Sequence, residues 1–363
     1  MPPISIMIKP ASGRCNMRCK YCFYYSLANS REVADFGIMD GATARRVIDS
    51  ALNFAKGERI YFSFQGGEPL IAGKKFFSDF FEYARQKNVY NSKIHYALQT
   101  NGTLIDSEWA QIFKDNSVLV GLSLDGDKEA NRYRLDANYA PVFNKAVSSA
   151  QLLQDAGADF NILAVVTGRS ADNITNIYRF FTSSGYKYLQ FIPCLRPFGD
   201  KSESELYMTA EQYTKYLVTL FNLYFKDYMD GKYTSIRHFD NLVRLFLGQK
   251  TEQCGIEGHC SHQFIIEGNG NVYPCDFYCT DEWLLGNISD SDFAALSGCD
   301  KAKQFILESL KISPECRSCK YFALCRGGGC KRQKEDRNYC ESYKKFFSLC
   351  APLLNAFIAE RHV

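Results

Sequence analysis

The sequence predicts an α/β protein, a partial (β/α)6 barrel of TIM-like architecture followed by a cysteine-rich C-terminal domain. Three observations predict it. Between residue 4 and about residue 195, short β-branched or aromatic runs alternate with segments of helical spacing, the pattern of successive βα units on a parallel sheet. Beyond residue 251 that periodicity fades and cysteines crowd together, as happens where metal centres replace apolar core. The cysteine loop after the first apolar run and polar or glycine-rich tetrads after the next three lie at the strand ends where such barrels carry their functional groups. The domain boundary is expected between residues 235 and 236, giving 1–235 and 236–363.

Strands are expected over 4–8, 60–64, 94–98, 119–124, 160–166 and 188–192, most of them bounded by Gly, Asn, Asp or Pro. Helical spacing fills the gaps at 42–55, 76–85 and 103–114, the last with Asp106 as a start signal. Residues 200–250, with Tyr213, Tyr216, Leu217, Leu220, Phe221 and Tyr224 at helical periods, read as a packed bridging helix. A last amphipathic stretch, 343–360, is expected to dock back on the body.

The 363 residues carry 43 Lys+Arg against 40 Asp+Glu and 46% apolar side chains, a globular composition with little electrostatic grip on nucleic acid. The N-terminus lacks the layout of a signal peptide and no apolar run is long enough to span a membrane. A cytoplasmic protein without nucleic-acid or membrane partners is therefore expected, as a monomer.

Fifteen cysteines in a long chain that is not secreted point to metal rather than to disulfides. Cys15, Cys19 and Cys22 form C-x3-C-x2-C in the loop after the first strand. Cys254, Cys260 and Cys275 precede Cys316, Cys319, Cys325 and Cys330, and Cys340 follows. These eleven match two iron–sulfur clusters with four thiolates each and one with three. Zinc is the competing reading for pairs such as Cys316 and Cys319. The N-terminal trio has no fourth ligand nearby, and three thiolates leave an open coordination position, which means chemistry rather than a structural staple.

Gly66-Gly67-Glu68-Pro69 follows the second strand, Gln99-Thr100-Asn101-Gly102 the third and Ser123-Leu124-Asp125-Gly126 the fourth. Each is ordinary turn chemistry when taken alone; the open cluster site on the same rim gives them meaning. Cys15-x3-Cys19-x2-Cys22 followed by Phe23-Tyr24 resembles the radical S-adenosylmethionine (SAM) signature, and Gly66-Gly67-Glu68-Pro69 is similar to that superfamily's SAM-amine motif. Cys260-x9-Gly270-x4-Cys275, with Cys316-x2-Cys319-x5-Cys325-x4-Cys330 and Cys340, resembles the SPASM extension. Within the group, the chain resembles the anaerobic sulfatase-maturating enzymes through residues 22–27, 64–69, 98–103 and 273–278. One departure is that four residues rather than three precede Cys330, which leaves Cys279 as an alternative ligand.

The resemblance implies SAM and three [4Fe–4S] clusters, and oxidation of a Cys or Ser in a sulfatase peptide, with a Cys/Ser-x-Pro-x-Arg core, to formylglycine. A flavodoxin or ferredoxin would donate electrons. The first trio would hold the cluster that SAM chelates, and an electron from that cluster would cleave SAM to methionine and a 5′-deoxyadenosyl radical. Tyr21, Gly66, Gly67, Glu68, Gln99, Ser123 and Arg134 would line the cofactor, Arg134 as a bidentate clamp on its carboxylate, with Arg132 as the alternative. Cys254, Cys260, Cys275 and Cys330 would hold one auxiliary cluster, and Cys316, Cys319, Cys325 and Cys340 the other. Asp276 is the expected base for the target's thiol or hydroxyl proton, and Tyr24 and Gln65 would contact the peptide. The rival is another SPASM peptide modifier that forms thioethers, epimers or crosslinks. A non-catalytic metal module is the rival from another class.

Overall fold

The computed structural model describes residues 2–336 and 339–361. All six expected strands form. In chain order the strands are β1 (Ile4–Ile8), β2 (Ile60–Phe64), β3 (Ile94–Thr100), β4 (Val118–Ser123), β5 (Phe160–Val166), β6 (Tyr188–Pro193), β7 (Ser235–Ile236), β8 (Phe264–Ile266), β9 (Asn271–Tyr273) and β10 (Gly286–Asn287).

The chain divides into two compact units that do not follow a single cut near residue 235. One comprises Met1–Ser123, Tyr133–Phe160 and His262–Phe305; the other comprises Leu124–Arg132, Asn161–Ser261 and Ile306–Val363. In the first unit β1 to β4 run parallel, with Ile4 opposite Ile60, Ile60 opposite Ile94 and Tyr96 opposite Val118. The sequence reading missed β8, which pairs parallel with the free side of β1, Ile6 opposite Phe264. Three residues are too few to show a period. Behind β2, Phe62 and Phe64 pack edge-on against Phe77 and Phe80 of the helix Lys74–Lys87, a buried aromatic cluster that anchors the sheet.

Local chemistry sets the helix ends. Asp40 caps the helix Gly41–Ala55 by accepting from Thr43 N at 2.7 Å. The helix expected from residue 103 runs Ser107–Asp115, with Asp106 outside it as the cap on Trp109 N. Thr103 is diverted because its backbone N–H and hydroxyl both donate to Asn101 Oδ1.

In the second unit β5, β6 and β7 are parallel neighbours. The single helix expected within 200–250 is two, Ala210–Met229 and Arg237–Phe246. Thr209 and Gln212 form a capping box at the first, and Gly231, at φ 73°, lets the chain turn after it. The final helix, Cys340–Arg361, docks as expected: Tyr339 stacks on Tyr213 at 4.0 Å and the hydroxyls of Tyr213 and Tyr343 lie 3.0 Å apart. No helix among the described residues is long and apolar enough to cross a membrane.

Candidate active site

The trio loop leaves β1 and returns as the helix Phe23–Asn29, with Cys22 at its N-cap. The segment 133–136 clips it in place: Arg18 N donates to Leu135 O at 2.7 Å and Lys20 N to Tyr133 O at 3.1 Å. All fifteen cysteines are free thiols. Burial pushes the Cys15 thiol up to about 12, with Glu68, Cys19 and Cys22 adding to the rise. A metal cation bound at the trio would compensate the charge of the buried thiolate. Asn101 Nδ2 lies 3.9 Å from Cys15 Sγ and donates to Asn16 Oδ1 at 2.9 Å, supporting the loop from the β3 end.

Gly66 and Gly67 bring the β2 ending onto the same loop. Gly67 N donates to Ser12 O at 2.9 Å and Glu68 N to Arg14 O at 2.7 Å. A Cβ on Gly67 would stand 2.0 Å from Arg14 O, and Gly66 holds φ at 125°; only glycine lets the two backbones touch. The Glu68 carboxylate turns inward, which leaves its backbone as the part that can line the cofactor. It accepts from Thr100 Oγ1 and Leu70 N on one oxygen and from Asn101 N on the other, tying the β2 ending to the β3 ending. Burial lifts it to about 7 against those hydrogen bonds and nearby Arg134.

Arg134 is buried and donates to Tyr21 Oη at 3.0 Å, whereas Arg132 is half exposed and paired with Glu129. Gln99 lies near the end of β3 and Ser123 ends β4.

The second pole is Asp276, 7% exposed, in a turn of 3-10 helix directly after Cys275. Gln65 Nε2 donates to its Oδ2 at 3.1 Å, and Lys9 Nζ lies 2.6 Å from Oδ1, an ion pair off the angle of a regular hydrogen bond. Gln65 and Asp276 thus meet. Tyr24 is buried, with its hydroxyl donated to Glu267 and Lys9 Nζ 3.5 Å above its ring; it is packed inward rather than open. Burial, more than any charge, drives the Tyr24 phenol well above its usual range, so it stays neutral. Sequence reasoning missed Lys9, Arg31 and Glu267. The signal was present in two of them, since Lys9 and Glu267 each place a charge directly after an apolar strand.

In the second unit Cys254, Cys260 and Cys330 influence one another, as do Cys316, Cys319, Cys325 and Cys340, while Cys275, expected with the first three, belongs to the first unit. Cys254 is pushed to about 12 by burial and then by Cys330 and Cys260. Cys325 is raised by burial and by Cys340 and Cys316, and Cys340 by burial and by Cys316 and Cys319 among others. Glycines interlock the first group: a Cβ on Gly258 would lie 2.4 Å from Arg326 O, and Cys260 N donates to Ser309 Oγ at 2.9 Å. Cys279 packs in the first unit's core with Tyr24, Ile265 and Tyr273 and donates to Cys275 O. Among the described residues no group of His, Cys, Asp and Glu is arranged to hold a single metal ion. The all-thiol donor sets suit iron–sulfur clusters.

Residues 10–181 match the radical SAM superfamily and residues 254–320 the SPASM iron-sulfur cluster-binding domain. The fold and site therefore define a radical SAM oxidoreductase whose cofactors are SAM and three [4Fe–4S] clusters. A cysteine-type anaerobic sulfatase-maturating enzyme of Clostridium perfringens (strain 13 / Type A) is 44% identical, over 98% of this chain and 98% of that protein. A serine-type enzyme of Bacteroides thetaiotaomicron is 28% identical over 97% and 91%. The solved structure of native anSMEcpe with bound AdoMet and Cp18Cys peptide superposes with a TM-score of 0.93 at 41% identity, over 99% of both chains. The chain belongs to the anaerobic sulfatase-maturating enzyme family.

Proposed function

We propose that the protein oxidises a cysteine in a sulfatase peptide to Cα-formylglycine. The observation that carries this reading is the clamped Asp276, held by Gln65 and Lys9 beside the cluster ligand Cys275. When bound, SAM and the clusters supply a hydrogen-abstracting radical and a path for the second electron. The chain's own task is to hold the target and take its proton. Asp276 accepts the thiol proton of the target cysteine. Gln65 fixes the carboxylate plane, and the Tyr24 ring supports the Lys9 ammonium that holds its other oxygen. Gly66, Gly67, Gln99, Ser123 and the Arg134–Tyr21 pair hold the cofactor, with Glu68 bracing the loops that form its cradle.

Cysteine is the preferred target, because the cysteine-type relative is the nearer in identity (44% against 28%). The recognised core is Cys-x-Pro-x-Arg, a flavodoxin or ferredoxin donates electrons, and the enzyme acts as a cytoplasmic monomer. The test is anaerobic incubation with SAM, a reductant and peptides bearing Cys or Ser in that core, read by mass spectrometry. Formylglycine in the Cys peptide is expected. SAM cleavage with a thioether, epimer or crosslink instead would transfer the enzyme to the rival class. Asp276→Asn is expected to keep all clusters and SAM binding yet lose most peptide oxidation; unchanged turnover would remove Asp276 as the base.

A further inference from the structure

Lys9 lies at the junction of the two poles of the site and has no part in the reading above beyond holding a carboxylate. Its backbone continues β1, donating to Ile266 O at 2.7 Å. Its side chain is entirely buried. The stem is pressed under the SAM-amine motif, where a Cβ on Gly66 would stand 3.2 Å from Lys9 Cβ and Cγ. The head lies 2.6 Å from Asp276 Oδ1 and 3.5 Å above the Tyr24 ring. Gln65, one residue before Gly66, holds the other carboxylate oxygen at 3.1 Å.

We infer that Lys9 is a positioning residue for peptide oxidation, setting where the Asp276 carboxylate stands relative to the cofactor cradle. The inference rests on the reading of Asp276 as the base. A buried ammonium costs several kcal/mol of desolvation unless it is compensated. A residue kept only to fill space under Gly66 would need no charge, and a methionine would fill it as well. The charge is used where two ends meet: the stem is located by Gly66 and the head locates Asp276. A small displacement of a base costs about 100-fold in rate while leaving substrate affinity almost untouched.

The test compares Lys9→Met, Lys9→Arg and Asp276→Asn with the unmodified holoenzyme. It measures SAM cleaved per formylglycine formed, and kcat and KM for a Cys-x-Pro-x-Arg peptide. For Lys9→Met the expected result is unchanged iron content, KM near that of the unmodified enzyme, kcat down about 100-fold and SAM cleavage that continues without product. Lys9→Arg keeps the cation and is expected to recover part of kcat. If Lys9→Met does not fold, Lys9→Arg carries the test, with a kcat about tenfold down and looser coupling expected. Normal coupling in the folded variants, or parallel loss of SAM cleavage and product, would overturn the inference. If Asp276→Asn still oxidises peptide, the base assignment itself fails; if it does not and Lys9→Met does, only the role of Lys9 fails.

Discussion

Arg31 and Glu267, 236 positions apart in the chain, meet as a fully buried ion pair at 2.7 Å. The same carboxylate accepts from Ser12 Oγ at 2.8 Å and from the Tyr24 hydroxyl. One acid after β8 therefore gathers the loop leading to the cysteine trio, through Ser12, the helix that follows the trio, through Tyr24, and the chain just beyond that helix, through Arg31. Removing one partner of such a pair strands the other charge in the core. Glu267→Gln is expected to destabilise the protein by about 3–5 kcal/mol, measured by anaerobic thermal or denaturant unfolding. A change below about 1 kcal/mol would mean that water reaches Arg31 and that the pair is not structural.

Gly67→Ala tests the close approach of the two loops. Its Cβ has no room beside Arg14 O, so one loop must retreat, at about 1–3 kcal/mol. SAM affinity is expected to fall by at least about tenfold, read by equilibrium binding to the reconstituted enzyme. Unaltered affinity would show that the SAM-amine motif can shift without cost.

Cys15→Ala should remove one cluster and spare the others, because the trio belongs to one compact unit and Cys254, Cys260, Cys330, Cys316, Cys319, Cys325 and Cys340 to the other. Iron content should drop from about twelve to about eight per chain, with SAM cleavage abolished. Loss of all iron would show that the three sites assemble as one.

His238 supplies a pH prediction. Burial, opposed only by a hydrogen bond with Gln253, lowers its imidazole to about 4. The folded state therefore keeps it neutral where the unfolded chain takes a proton. The unfolded state binds more protons between about pH 6.5 and 4, so stability falls as pH drops through that window and is unaffected by this group above it. The loss between pH 7.5 and 5.5 is expected to be about 1 kcal/mol. His238→Gln should flatten that part of the profile of unfolding midpoint against pH; an identical slope would show that His238 is solvated.

The strands with clear two-residue or continuous apolar character were legible, and β1, β2 and β5 match their expected limits to the residue. What escaped the sequence were features carried by one or two residues. The helix that spacing predicts from 103 is shortened by Asn101, whose side chain captures Thr103. The thiol groups were legible because chemistry fixes their number and kind. Lys9, which holds Asp276, and Glu267, which holds Arg31 and Tyr24, were only half legible: each is a charge directly after an apolar strand, but their roles take shape only when β8 is laid against β1.

That placement has a bearing on how the chain can be divided. A fragment ending at residue 235 would keep every βα repeat yet forfeit the 262–305 segment that completes the first unit. Its first strand would then present an unpaired, apolar edge, an invitation to self-association. Expression of either half alone is thus a poor route to a working piece, and insertions or tags belong at loop tips rather than at that cut.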